Sequence, residues 1–314
     1  MKESGGLLLA LLLMASTAGA QAYQRTVVPG KDLCLNWLSR EFVYHIDSAG
    51  SLRTPRDTEF PAIDAAFDTW RTLSATCSDF TFVRGGDVSR PSVGYVVGQT
   101  NENVVTFRET ACQDVVPELD PCRAAETCAN DYSCWEHGEL TIALTTTTFS
   151  FKTGVILDAD IELNAAQPGG NLGFLFTTVS SPPCEGLPSP ECVGSDIQNT
   201  MTHEIGHAMG LDHVTVPLST MEPTAPIGET QKRIIDVGTA AGFCDIYPRG
   251  LPPNQCSGLG VSSKNLSAQN AGTRCAAAPG ALLPGVLLSV WRVWARRRAR
   301  QGARGERGAQ ASGS

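Results

Sequence analysis

Residues 203–213 read HEIGHAMGLDH. On an α-helix, His203 and His207 would lie on one face, so that both could present a ring nitrogen to a single metal ion. Gly210 can adopt the positive φ with which helices commonly end, which would let His213 fold back as a third ligand. Three neutral imidazoles leave one position of a tetrahedral zinc ion open to water, as in catalytic sites. The stretch therefore predicts a helix, a turn and one catalytic Zn²⁺ ion.

Glu204 follows the first of these histidines and would lie on the flank of the helix that faces the water. A carboxylate in this position can act as general base for the attack of water on a carbonyl group, while zinc stabilises the oxyanion. The full motif H-E-x-x-H-x-x-G-x-x-H is much more specific than H-E-x-x-H alone. A methionine, Met221, follows His213 at a distance of eight residues. We therefore predict His203, His207 and His213 as metal ligands and Glu204 as the catalytic residue.

The motif and the methionine resemble those of the metzincin zinc endopeptidases, and the flanking sequence resembles their matrixin-like branch. The softer matches are YHI (44–46), AAFDTW (65–70), GVILDADIELN (154–164) and IYP (246–248). The resemblance covers about residues 40–248. It implies an α+β fold with a twisted five-stranded mixed sheet, three helices and a zinc cleft, to which the cysteines add disulfide-rich insertions.

The resemblance also implies how a substrate is held. Met221 would form a structural Met-turn beneath the zinc ligands and would not itself be a ligand. A protein or peptide substrate would lie extended along an edge strand near residues 140–145, as in strand addition, with residues 222–227 as one wall of a specificity pocket. Val214 departs from the serine usual in vertebrate matrixins, and residues 21–31 are too short for an inhibitory prodomain. The exact subfamily and the control of latency are therefore left open.

Charge is unevenly distributed along the chain. The 314 residues carry a formal net charge of −8, although residues 292–314 contain seven arginines and one acidic residue. The rest of the chain is therefore strongly acidic, which argues against a nucleic-acid partner. Hydrophobic residues make up 42% of the chain and charged residues 18%, which excludes disorder throughout.

The N-terminus and the cysteines indicate export. Residues 7–14 are apolar and Ala18-Gly19-Ala20 fits a signal-peptidase site, so we expect residues 1–20 to be a signal peptide. All eleven cysteines follow it, in a compartment that permits disulfides. The four cysteines within residues 112–134 lack the spacing of zinc ligands and predict a disulfide-stapled insertion. Cys184 and Cys192 flank a proline-rich loop and are expected to pair.

The predicted organisation is a short N-terminal segment (21–34), a catalytic domain (35–250), a Gly-, Ser-, Asn- and Pro-rich linker (251–275) and a tail (276–314). The tail opens with sixteen apolar or small residues directly after Cys275 and runs into the arginines. This order resembles the sorting tags of myxobacterial surface proteins; a plain membrane anchor and a soluble tail are the alternatives. We expect an exported protein, at the cell surface or extracellular, with any membrane or surface attachment made through the tail.

Hydrophobic periodicity predicts the elements of the domain. Strands are predicted at residues 42–46, 80–83, 93–97, 140–148 and 155–163, and helices at residues 57–73, 196–210 and 229–247. Asp158 and Asp160 share a face of one strand and would suit a Ca²⁺ ion, with structural hydrogen bonding as the alternative.

The motif points first to a secreted or surface-displayed zinc metalloendopeptidase that hydrolyses peptide bonds. A second function is a surface binding or adhesion module that keeps the fold and the zinc without turnover, although Glu204 argues against it. A third is a zinc hydrolase of a non-peptide amide, because metal-activated water does not specify which carbonyl it attacks. The oligomeric state is not predicted.

Overall fold

The computed structural model describes residues 23–170 and 173–256, together with the backbone of residues 272–276. The predicted signal peptide (1–20), residues 257–271 of the predicted linker and the predicted tail beyond residue 276 lie outside the described residues. Within the part of the chain that is described, no helix is long and apolar enough to cross a bilayer.

Five strands of the body (residues 23–170 and 173–256) form one mixed β-sheet. They are β1 (Glu41–Ile46), β2 (Thr81–Arg84), β3 (Asn103–Arg108), β4 (Thr141–Phe149) and β5 (Ile156–Asn164). Their spatial order is β4-β5-β3-β1-β2, with β4 antiparallel to β5 and the other pairs parallel. This confirms the predicted five-stranded mixed sheet, and it makes β4 an edge strand of the body.

A further strand covers the outer side of this edge. The backbone of β6 (Gly272–Ala276) pairs with β4 in the antiparallel direction, opposite Thr141 to Thr146. The sheet therefore has six strands when β6 is included.

Three long helices and three short ones accompany the sheet. The long helices are α1 (Glu59–Cys77), α5 (Ile197–Ala208) and α6 (Val237–Ile246), and the short ones are α2 (Cys112–Val115), α3 (Cys122–Ala125) and α4 (Cys128–Asp131). α1 packs on the sheet through Phe67, whose ring stacks on that of Tyr44 with the centroids 3.5 Å apart. The indole N–H of Trp70 donates to the carbonyl of Thr202 at 3.0 Å, so α1 also fixes the position of α5. The predicted α+β class with three principal helices is confirmed.

Disulfides join all ten cysteines from Cys34 to Cys256. Cys112–Cys134 and Cys122–Cys128 staple the insertion that contains α2 to α4, and Cys184–Cys192 closes its own loop, as predicted. Cys34–Cys256 and Cys77–Cys244 span 222 and 167 residues. In the chain-entropy view, a cross-link over a loop of this length stabilises the fold by roughly 5 kcal/mol.

The sequence prediction was wrong in the middle of the sheet. Residues 93–97 do not form a strand: Gly94 has φ +100°, and Val96 and Val97 are 52% and 86% exposed, so the segment has no core to face. The strand in this region is β3, which the prediction missed. From Val104 onward every residue of β3 is buried, because the strand is central and covered on both faces. Such a strand has no polar and apolar alternation to recognise.

The last predicted helix is also shorter than expected. Residues 229–247 contain a 3₁₀ turn (Gln231–Arg233) and then α6, which begins after Asp236 because the Asp236 carboxylate accepts from the N–H groups of Gly238 and Thr239.

The remaining elements are short. Two-residue strands pair Gln24–Arg25 with Leu211–Asp212, Thr110–Ala111 with Cys134–Trp135, and Phe176–Thr177 with Ser195–Asp196, and 3₁₀ turns lie at Pro55–Asp57 and Pro168–Gly170.

Candidate active site

Helix α5 carries the first two predicted ligands. The helix begins at Asp196, whose side chain accepts from the N–H of Asn199 at 2.7 Å. His203 and His207 lie one turn apart near its end and are 0% and 1% exposed. A helix that is buried on this face holds both imidazoles in fixed orientations.

Gly210 turns the chain out of the helix. Its φ is +88°, and a Cβ at this position would lie 2.6 Å from the carbonyl oxygen of Leu35. Both facts require glycine. The next two residues pair with the strand Gln24–Arg25, and the chain then delivers His213 to the same point as the helical histidines.

The three imidazoles converge. The Nε2 atoms of His203, His207 and His213 lie 3.0 to 3.1 Å from one another. Nitrogen ligands of one tetrahedral zinc ion would be about 3.3 Å apart, so the spacing is close to that of a shared ion. Among the described residues, these histidines are the group of three or more side chains that could hold a metal ion.

The tautomers of two histidines also fit a metal. Nδ1 of His203 faces the carbonyl oxygen of Thr220 at 2.6 Å, and Nδ1 of His207 faces that of Leu211 at 2.9 Å. A nitrogen that faces a carbonyl oxygen must donate, so Nε2 of each neutral ring carries a lone pair. Two buried lone pairs that face each other are unfavourable unless a cation lies between them. The donor set therefore fits Zn²⁺.

The surroundings keep the rings neutral. Burial, followed by the charges of the other two histidines, holds the pKa of His203 well below 6.5. Burial likewise lowers the pKa of His207, and it lowers the pKa of His213 to about 4. Neutral imidazole is the form that binds metal ions, so the site is ready for a ligand role at neutral pH.

Glu204 is fully buried beside this cluster. Its Oε2 accepts a hydrogen bond from the Thr145 hydroxyl at 2.6 Å, and its Oε1 has no partner among the described residues. Burial raises the pKa of Glu204 to about 8, against the opposing effect of the Thr145 hydrogen bond. Thr145 belongs to β4, so the carboxylate is tied to the edge strand of the body.

Met221 lies under the helix. It is 1% exposed, and a Cβ on Gly206 would be in hard contact with its Sδ and 3.1 Å from its Cε. Gly206 lies between the two helical histidines in sequence, so the absence of a side chain there lets the thioether pack directly against α5. A hydrogen bond also holds the backbone of the turn that contains Met221: the N–H of Val214 donates to the Met221 carbonyl at 3.0 Å.

Asp236 stabilises the turn that contains Met221. Its Oδ2 accepts from the N–H of Thr220 at 2.7 Å and from the Ser219 hydroxyl at 3.0 Å. Because the Thr220 carbonyl in turn orients His203, Asp236 links the start of α6 to a predicted metal ligand. Burial would raise the pKa of Asp236, but the hydrogen bonds from Thr239 and Thr220 outweigh it and lower the pKa.

Sequence reasoning missed both Thr145 and Asp236. Thr145 stands in a run of threonines that indicates only a strand, and no local pattern shows that it lies opposite Glu204. Asp236 carries a recognisable signal, since an aspartate before a helical segment is a common N-cap. Its second role, in the turn sixteen residues earlier, has no sequence signal.

Asp158 and Asp160 are both buried on β5. The Asp160 carboxylate accepts from the N–H groups of Gly94 at 2.6 Å and Val104 at 2.9 Å, so it makes the structural hydrogen bonds that were the alternative to calcium. Calcium binding here stays a prediction.

An α+β domain in which three neutral imidazoles converge next to a buried glutamate is typical of metal-dependent hydrolases. Residues 36–247 match the family Matrixin. The match covers more than half of the chain, and the chain therefore belongs to the matrixin family of zinc metalloendopeptidases. A comparison with curated proteins found no match. Membership of this family implies a catalytic zinc ion and protein or peptide substrates.

Proposed function

We propose that the chain is an exported endopeptidase in which His203, His207 and His213 hold the zinc ion and Glu204 is the general base. The observation that carries this proposal is the meeting of three Nε2 atoms, 3.0 to 3.1 Å apart, next to a buried carboxylate on the same helix. Zinc, when bound, supplies Lewis acidity that polarises a carbonyl group and makes water more acidic.

The residues of the chain supply the proton transfer. Glu204 takes a proton from the water whose oxygen bonds to the carbonyl carbon of the peptide. It then delivers this proton to the amine nitrogen as the C–N bond breaks, so that the carboxylate is regenerated. The Thr145 hydroxyl, 2.6 Å from Oε2, favours the ionised carboxylate and fixes its orientation.

The edge strand β4 supplies the binding surface. Its outer backbone N–H and C=O groups can pair with an extended peptide, and Thr145 brings this edge next to Glu204. The substrate carbonyl is thereby held in reach of the base. Met221 and the Thr220 carbonyl keep His203 in position beneath it.

Export is supported by the cysteines. Five disulfides join ten cysteines of the described chain, and disulfides persist mainly in oxidising compartments. The signal peptide and the sorting tail remain proposals from the sequence.

The test is cleavage of a mixed peptide library by the full chain, by Glu204→Ala and by His207→Ala, with metal analysis of each protein. Wild type should cleave, should stop on addition of a zinc chelator and should recover when zinc is restored. Glu204→Ala should keep zinc but lose activity by about 10²- to 10⁴-fold, whereas His207→Ala should lose both. Stoichiometric zinc in a folded wild-type chain that cleaves no peptide would favour the binding module or a non-peptide amide instead.

A further inference from the structure

The edge that the proposed function assigns to substrate is already paired. The backbone of β6, residues 272–276, runs antiparallel along the outer side of β4. Thr273 lies opposite Thr145 and Cys275 lies opposite Ala143, with an irregular register between Cys275 and Ala276. The pairing therefore covers the outer backbone groups of the first two thirds of β4.

This covered part of β4 is the part next to the candidate base. Thr145, which opposes Thr273, donates the 2.6 Å hydrogen bond to Glu204. Cα atoms of β6 also come within 8 Å of Cα atoms of α5, the helix that carries Glu204 and two of the predicted ligands. A peptide that pairs with β4 beside Glu204 would need the same backbone donors and acceptors that β6 uses. The two strands exclude each other.

We propose that residues 272–276 are a built-in occupant of the substrate edge, which competes with extended peptides for β4 and holds the enzyme in a low-activity state. This inference rests on the proposed function, since it assigns β4 to substrate.

The connection of β6 to the body makes such competition effective. Cys256 is held to the body by its disulfide with Cys34, and fifteen residues separate Cys256 from β6 in sequence. A short tether gives its end an effective concentration on the order of 1 mM. Each backbone hydrogen bond contributes little net stability, because its donor and acceptor bond to water when they are unpaired. A strand of five residues therefore binds weakly, and a substrate can displace it. If the strand alone bound with a Kd of about 0.1 mM, the tether would raise the apparent KM about ten-fold.

The experiment uses the full chain and removes the pairing through the backbone. Consecutive residues of a strand direct their N–H groups to opposite sides, so Thr273→Pro together with Arg274→Pro removes a ladder donor whichever residue supplies it. Ser262→Pro together with Ser263→Pro is the matched control, with two prolines in the connection outside the pairing. Intact mass establishes that each purified chain still contains β6.

Two measurements are compared among wild type, the β6 variant and the control. Amide hydrogen exchange within residues 141–146 should be about ten-fold faster in the β6 variant than in the other two proteins, because the outer N–H groups of β4 lose their partner. Peptide cleavage should show an apparent KM about ten-fold lower in the β6 variant, with kcat unchanged, as expected for loss of a competitor.

Each outcome decides a different point. Equal exchange in all three proteins would overturn the pairing, whatever their activity. Faster exchange with an unchanged KM would overturn the competition. If none of the three proteins cleaves a peptide, the proposed function and the competition fail together, while the exchange result still decides whether β6 pairs with β4.

Discussion

Replacing Thr145 with valine tests whether the edge strand tunes the candidate base. The substitution keeps the shape of the side chain and removes the hydroxyl that lies 2.6 Å from Oε2 of Glu204. Both groups are 0% exposed, so water cannot replace the lost hydrogen bond without repacking. The ionised form of Glu204 loses its one side-chain donor among the described residues.

The sign and size of the effect follow from this contact. The Thr145 hydrogen bond opposes the burial that raises the pKa of Glu204, so its removal raises that pKa further. A hydrogen bond to a charged group is worth about 1.5–3 kcal/mol, which corresponds to about one to two pH units. A general base acts only when it is ionised. The acid limb of the kcat/KM profile should therefore move to higher pH by this amount, and activity below the limb should fall about 10- to 100-fold.

The assay is the pH dependence of kcat/KM for one peptide substrate. Thr147→Val is the matched control, because Thr147 lies two residues further on the same strand and makes no hydrogen bond to Glu204 in the described structure. Thr145→Ser should restore the wild-type limb, since it restores the hydroxyl. If the Thr145→Val and Thr147→Val profiles coincide with that of wild type, the hydrogen bond does not govern the base.

Three further outcomes are expected. Gly206→Ala should lower the free energy of unfolding in chemical denaturation, because overpacking against Met221 costs about 1–3 kcal/mol and the gain in helix propensity is only about 1 kcal/mol; in a Met221→Ala background the same change should be neutral or stabilising. Burial would raise the pKa of Glu162, but the neighbouring His137 imidazole and the Arg108 guanidinium, whose Nε donates to Oε1 at 2.6 Å, outweigh it and hold the pKa below 4.5. The resulting stabilisation should be present above about pH 4.5 and lost as the pH falls through the lowered pKa, and denaturation curves of Glu162→Gln should lack this dependence. Excess thiol should lower Tm and abolish cleavage, because Cys34–Cys256 and Cys77–Cys244 close long loops; full activity after complete reduction would contradict this.

The local parts of the fold were predictable from the sequence. The apolar residues at helical spacing between Phe60 and Trp70 predicted α1, and β-branched alternation predicted β4 and β5. Gly210 and the histidine spacing predicted the turn that brings His213 back. In each case the residues that determine the element are close together in sequence, within one or two helical turns or within a single strand.

The predictions that were wrong or missing concern segments whose structure depends on residues distant in sequence. β3 carries no alternation because it is a central strand buried on both faces, whereas residues 93–97 are rich in valine but half-buried or exposed, with no core to face. The contact between Thr145 and Glu204 joins residues 59 apart in sequence, and β6 reaches β4 from even further along the chain. Such contacts follow from the topology and have no signature in either segment alone.

The outermost disulfide also decides how the domain responds to being cut. Cys34–Cys256 closes a loop that contains nearly the whole described chain, and Cys77–Cys244 closes a second loop inside the first. A single nick anywhere between residues 34 and 256, including one made by another copy of the enzyme, would leave both fragments covalently joined. A nicked chain would therefore migrate as one species on a non-reducing gel and separate into two only after reduction.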